Sequence, residues 1–152
     1  MTFEEREKNN FDHPKSFDFD LLIHDLNKLE KNGFSNIPKY NFKKHLRANG
    51  KEKIKKKKII IIEGIFSIFN EIIRNKMTLK VFIDVNDELR LKRRIERDIK
   101  TRGRDAESIL NQYHKTVRPM YLKYVNPTKN YADLIINNNN SSFNLLCENI
   151  NK

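Results

Sequence analysis

The chain has 152 residues, of which 38% are apolar and 34% charged, with ten phenylalanines and five tyrosines. That is one ordinary domain's length, enough to bury roughly two-thirds of the unfolded surface, and the aromatic content argues against wholesale disorder. A single cysteine, Cys147, excludes an internal disulfide framework and a four-cysteine metal site, and suits a reducing cytosol. The longest nearly apolar run, 59–69, contains Glu63 and is too short to span a bilayer. The start, 1–7, lacks the basic-then-apolar pattern of a signal peptide, so a cytoplasmic location is expected. The net charge of +11, from 31 Lys and Arg against 20 Asp and Glu, calls for anionic partners: nucleic acid, phosphorylated small molecules or acidic membranes.

Residues 1–10 are polar and aperiodic, and read as a loop or a frayed helix. Ser16 or Asp18 can cap a helix to about Lys31, with Leu22, Leu26 and Leu29 at helical spacing and Gly33 as the stop. Ile37-Pro38-Lys39-Tyr40-Asn41-Phe42 reads as extended. Residues 43–58 are basic and suggest a hairpin. The β-branched run Lys58–Ile62, ending in Glu63-Gly64, predicts a strand buried on both faces of a parallel sheet, followed by a helix over 65–76. Leu79–Val85 predicts a second buried strand. A helix from Asn86 or Asp87 to about Lys100 follows, interrupted by Arg102-Gly103-Arg104-Asp105. Asp105 can cap another helix that runs to about Tyr124 around Pro119. Ala132–Ile136 predicts a third strand, and Ser141 or Ser142 caps a last helix with Leu145, Leu146, Ile150 and a core Cys147. The order implies an α/β fold with a largely parallel sheet flanked by helices.

Several residue groups carry chemistry. Arg90, Arg94 and Arg97 fall on one helix face, and Arg102 and Arg104 follow on a turn. Guanidinium forks in such an array can pair with polyphosphate oxygens and stay charged; the same spacing also suits a solvated helix face. Glu63, at the carboxyl end of the expected strand, is placed to hold Mg²⁺ through water, or to act as a cap or salt-bridge partner. Phe11-Asp12-His13-Pro14 and Tyr40-Asn41-Phe42-Lys43-Lys44-His45 combine aromatic rings, a carboxylate and imidazoles, which suits a nucleoside: rings stack on the base, and the acid accepts from ribose hydroxyls. The tract 51–58 suits a nuclear-import or RNA-binding element, and equally a solvated hairpin edge.

Together these segments resemble uridine–cytidine kinases, in the phosphoribulokinase/uridine kinase group of P-loop kinases, over about residues 10–136. The family pattern F-D-H-P-x-x-F-D is met by Phe11–Asp18, and P-x-Y-x-F-x-x-H-x-R by Pro38, Tyr40, Phe42, His45 and Arg47. E-G-I is Glu63-Gly64-Ile65. R-L-x-R-R-x-x-R-D-x-x-x-R-G-R-D is met at every fixed position from Arg90 to Asp105. Gln112-Tyr113, Pro127-Thr128-Lys129 and Tyr131-Ala132-Asp133 also fit. The resemblance implies that Asp12 binds the ribose hydroxyls and that Tyr40 and His45 contact the pyrimidine, with Phe42 packing beside it. It implies that Arg94, Arg104 and Gln112 hold the nucleoside and the transferring phosphate, and that Arg97 and Arg102 belong to a lid over ATP. Glu63 would support Mg²⁺. The reaction implied is transfer of the ATP γ-phosphate to the 5′-hydroxyl of uridine or cytidine in pyrimidine salvage.

The resemblance also sets the expected organisation: one partial P-loop kinase domain over 1–152, with a loop at 1–10, a nucleoside-binding segment at 11–57, sheet core and arginine-rich lid at 58–136, and a C-terminal helix at 137–152. None of the four glycines lies in a G-x-x-x-x-G-K-[ST] loop, and Asn138-Asn139 stand where the family has Arg-Gly. The first strands, the P-loop and the Asp that ends the family's second strand and acts as its general base are therefore expected to be absent from this chain, which alone is expected to be inactive and aggregation-prone. The leading expectation is the C-terminal part of such a kinase, whose intact form is the enzyme, with a homo-oligomer or a partner kinase chain as its expected assembly. Two other readings stay open: a non-catalytic, nucleoside-binding or kinase-associated relative, and, ranked last, a basic nucleic-acid-binding module.

Overall fold

A computed structural model describes residues 2, 9–41, 44 and 46–137. The expected C-terminal helix with Cys147, and the candidate residues Phe42 and His45, lie outside the described residues. The chain divides between Ser67 and Ile68 into two compact units.

In the first unit, the short 3₁₀ turn Pro14–Ser16 leads to helix α1, Phe19–Asn32. The expected caps are in place. Asp18 Oδ1 accepts the Leu21 N–H at 3.0 Å, and Gly33 closes the helix at φ 76°, a left-handed conformation that suits a residue without Cβ. Strands β1 (Phe34–Asn41) and β2 (Leu46–Lys55) form an antiparallel hairpin, from Phe34 opposite Lys55 to Asn41 opposite Leu46. The expected hairpin is thus present, but residues 46–55 supply only its second arm, and the extended Pro38 segment supplies the first. The register slips between Pro38 and Tyr40, beside the residue that has no N–H to give to the ladder. Leu29 and Phe66 are buried, with Phe17 edge-on to Phe66 at 5.0 Å between ring centroids. Ser35 Oγ donates to Asp25 Oδ1 at 2.8 Å and ties α1 to β1 inside this unit.

The strand expected at Lys58–Ile62 is not formed. These residues are irregular, and Ile59, Ile60 and Ile61 are exposed. A β-branched run becomes a strand only when a neighbour accepts its ladder, and no strand among the described residues pairs with it. The helix expected over 65–76 shrinks to α2, Glu71–Arg74, after turns at 65–69. The Asn70 side chain accepts from the Ile73 N–H and starts the helix there.

In the second unit, β3 (Val81–Asp84) pairs in parallel with β4 (Leu134–Asn137), so the second and third expected strands are present in shortened form. The expected largely parallel sheet is one parallel pair; the other pair is the antiparallel hairpin. Parallel strands need a long crossover. It consists of α3 (Asp87–Arg102), α4 (Ala106–Gln112) and a continuing helical run. Asn86 caps α3, Gly103 ends it at φ 66°, and Asp105 caps α4. The run widens to π-helical turns at Tyr113–Val117 and Tyr121–Val125, flanking Arg118–Met120; Pro119 lacks the N–H an α-helix would use there. Ile68, Ile73, Phe82, Ile109, Tyr113 and Val125 are buried. The expectation that the β3 run is buried throughout is corrected: Phe82 is buried but Ile83 is exposed, because a two-stranded pair has one covered face.

Ile73 is 0% exposed and Ile61 81% exposed. Replacing Ile73 by Ala is therefore expected to lower unfolding free energy by about 2–5 kcal/mol, whereas Ile61→Ala stays within about 0.5 kcal/mol. Urea unfolding followed by far-ultraviolet circular dichroism checks both. A large loss at Ile61 would restore the buried-strand reading.

Candidate functional site

The second unit places the arginine-rich motif on α3 and the turn after it. Asp98 lies at the centre, 0% exposed. Arg97 Nε donates to its Oδ1 at 2.8 Å, and Arg102 Nη1 lies 3.3 Å from the same oxygen. Arg94 Nε and Arg104 Nη1 each lie 3.7 Å from Oδ2. The local sequence makes this geometry. Arg94 and Arg102 stand four residues either side of Asp98 on the helix. The Gly103 turn then brings Arg104 back, its backbone N–H donating to the Asp98 carbonyl at 3.3 Å. Gln112, from the end of α4, accepts with one oxygen from Arg94 Nη2 at 3.3 Å and from Arg104 Nη1 at 2.7 Å. Arg104 Nη2 also donates to Ser108 Oγ at 3.0 Å.

Five of the candidate residues are therefore brought together: Arg94, Arg97, Arg102, Arg104 and Gln112. Four guanidiniums face this one carboxylate, an excess of positive over negative charge at Asp98. Arg97 and Arg102 keep about half of their side-chain surface exposed, at 50% and 41%. Such a cluster can receive a multiply charged anion through charge-assisted, forked hydrogen bonds. Its anchor, Asp98, was not singled out by the sequence reading, although its spacing of four residues from two arginines was visible.

A second network pins the other end of α3. Asp87 Oδ1 accepts from Arg90 Nη2 at 2.6 Å and from the Tyr113 hydroxyl at 2.7 Å, and Oδ2 accepts from Arg118 Nε at 2.9 Å. The Arg90 guanidinium stacks on the Tyr121 ring at 3.5 Å, so the first arginine of the motif is a structural member. Partial burial works against the Asp87 charge, but the hydrogen bonds from Tyr113, Arg90 and Arg118 outweigh it and hold the carboxyl below its ordinary value. Burial, together with the hydrogen bond to Asp87, pushes the Tyr113 hydroxyl upward. At the carboxyl end of β3, Lys129 Nζ donates to Asp84 Oδ2 at 2.6 Å.

The remaining candidates belong to the first unit. Asp12 sits on the turn before Pro14, its backbone N–H donating to Asn10 Oδ1 at 3.0 Å. Tyr40 is exposed on β1 in register with Arg47, which pairs with Asp18 at 2.6 Å. Hydrogen bonds from the Arg47 guanidinium and the Leu21 N–H hold the Asp18 carboxyl below its ordinary value. Glu63 is exposed, on the irregular segment where a strand end was expected. Among the described residues no three His, Cys, Asp or Glu side chains converge, and no helix is long and apolar enough to cross a membrane.

Comparison with known proteins agrees with the motifs. The Phosphoribulokinase / Uridine kinase family matches residues 2–142. Curated relatives over 136 residues include proteins named uridine kinase from Lactobacillus helveticus (strain DPC 4571), 47% identical, Staphylococcus haemolyticus (strain JCSC1435), 44%, and Staphylococcus aureus (strain JH9), 43%. Each match covers 90% of this chain, which spans 64–66% of the length of these relatives. The chain belongs to the Phosphoribulokinase / Uridine kinase family.

The Asp87 network carries a pH signature. Its folded carboxyl titrates below the unfolded value of about 3.9, so its stabilisation is complete above that value and is lost as pH falls through the lower folded one. Acid unfolding of Asp87→Asn is expected to lose part of its pH dependence below about pH 4. An acid limb identical to that of the unmutated chain would show the network to be energetically silent.

Proposed function

We propose that this chain is the nucleoside-binding and phosphate-holding portion of a pyrimidine nucleoside kinase, which passes the γ-phosphate of ATP to the 5′-hydroxyl of uridine or cytidine. The observation that carries the reading is the Asp98-centred arginine cluster in a chain whose relatives are named uridine kinase. Phosphoryl transfer asks a protein for positioning and charge neutralisation rather than covalent chemistry. The cluster offers both.

The family pattern assigns the roles within this reading. Asp12 accepts from the ribose hydroxyls, and Tyr40 and His45 contact the base beside Phe42. Arg94, Arg104 and Gln112 hold the nucleoside and the moving phosphate, while Arg97 and Arg102 close over ATP. Gln112 supports this assignment, because it already links Arg94 and Arg104 through one oxygen. Mg²⁺ typically takes one or two carboxylates, completing its shell with waters and nucleotide phosphates. The single exposed carboxylate of Glu63 fits that mode, and there the ion would neutralise phosphate charge. The 152 residues contain no G-x-x-x-x-G-K-[ST] loop, so by themselves they are not expected to form UMP from uridine and ATP. In this reading the loop comes from outside these 152 residues, from further sequence of the same protein or from an accompanying kinase chain.

Uridine titrated into the chain, followed by NMR, tests the nucleoside half. Binding is expected, with Asp12→Ala weakening it at least about tenfold through loss of a charge-assisted hydrogen bond. Absence of uridine binding would remove this reading. Salt-sensitive binding of RNA in its place would favour a nucleic-acid module.

A further inference from the structure

We infer that Asp98 is a positioning residue, which aims the arginines of the cluster at a triphosphate and touches no ligand itself. The inference rests on the phosphate-binding reading above and extends it to a residue that reading does not use. Three observations carry it. Asp98 is fully buried, so its carboxylate is not presented to a ligand. A buried carboxylate carries a desolvation cost that nearby cations offset, and Asp98 has four guanidiniums within 2.8–3.7 Å, Arg97 donating a hydrogen bond to Oδ1 while Oδ2 accepts none. Its backbone carbonyl also receives the N–H groups of Gly103 and Arg104, so one residue fixes both the helix end and the turn that returns Arg104.

Long arginine side chains are rotamer-rich, and each one ordered on binding costs free energy. Oδ1 holds Arg97 and Arg102, while Oδ2 lies between Arg94 and Arg104, which Gln112 links. The four heads are therefore gathered before an anion arrives. Coulomb attraction alone makes the opposite forecast. Removing the carboxylate makes the local charge more positive by one, which would tighten anion binding. The sign of the change thus separates positioning from simple charge.

The test compares the unmutated chain with Asp98→Asn and Asp87→Asn, using sodium tripolyphosphate as the probe. Affinity is measured by isothermal titration calorimetry at physiological salt, and folding by circular dichroism. Asp87→Asn removes the same charge from the other end of the same helix. Asp98→Asn is expected to weaken binding about tenfold or more, with Asp87→Asn unchanged or slightly tighter. Equal or tighter binding by folded Asp98→Asn overturns the inference, as does equal weakening by both variants. Should Asp98→Asn not fold, the unmutated chain decides: the Arg97 Nε–Hε NMR signal is expected to exchange slowly with water, and exchange like that of free arginine overturns the inference. Failure of the unmutated chain to bind tripolyphosphate removes the phosphate reading together with the inference. Loss of the Asp98 effect alone leaves that reading standing.

Discussion

The second unit's chemistry depends on one ion cluster, the buried carboxylate of Asp98 and the guanidiniums around it. Arginines brought this close repel one another and would spread into solvent without a counter-charge. Asp98 supplies that counter-charge from inside the fold, where water screens it little. Four guanidiniums share it. The result is positive charge concentrated on short, defined geometry, which is what recognition of a polyanion requires.

The helix that carries the cluster is held at both ends by carboxylates of different character. Near its start, Asp87 is partly exposed and joins α3 to Tyr113 and Arg118 in the helical run that follows. Near its end, Asp98 gathers the arginines of α3 and the turn, and Gln112 extends that set to the end of α4. Tyr113 and Gln112 are adjacent in sequence, yet each serves a different network. The π-helical widening that begins at Tyr113 coincides with this division of labour, as such widenings often do at functional positions.

Much of the local structure was legible because it is written in short-range chemistry. Asp18, Asn86 and Asp105 cap helices as their side chains suggest, and Gly33 and Gly103 end them. The long-range features were not. The Lys58–Ile62 run has strand composition, but composition cannot say whether a neighbouring strand is there to accept its hydrogen bonds. The hairpin was half legible: the Pro38 segment was read as extended, while its pairing with residues 46–55 depends on contacts across the turn. Within the site, the arginine set was visible in the sequence. What was not visible was that Asp98 is buried and shared by four partners, because a one-dimensional pattern gives spacing but not burial. Arg90 shows the converse: it shares the spacing of Arg94 and Arg97, yet stacks on Tyr121 and serves the Asp87 network.

The central claim is that the Asp98-centred arginines, rather than the basic surface in general, receive the phosphates of a nucleotide. Hydrogen–deuterium exchange of the chain with and without ATP tests it most directly, since both basic regions are read in one experiment. The account predicts slowed exchange confined to residues 94–112. Protection centred on the lysine-rich tract at 51–58, with 94–112 unchanged, would contradict it.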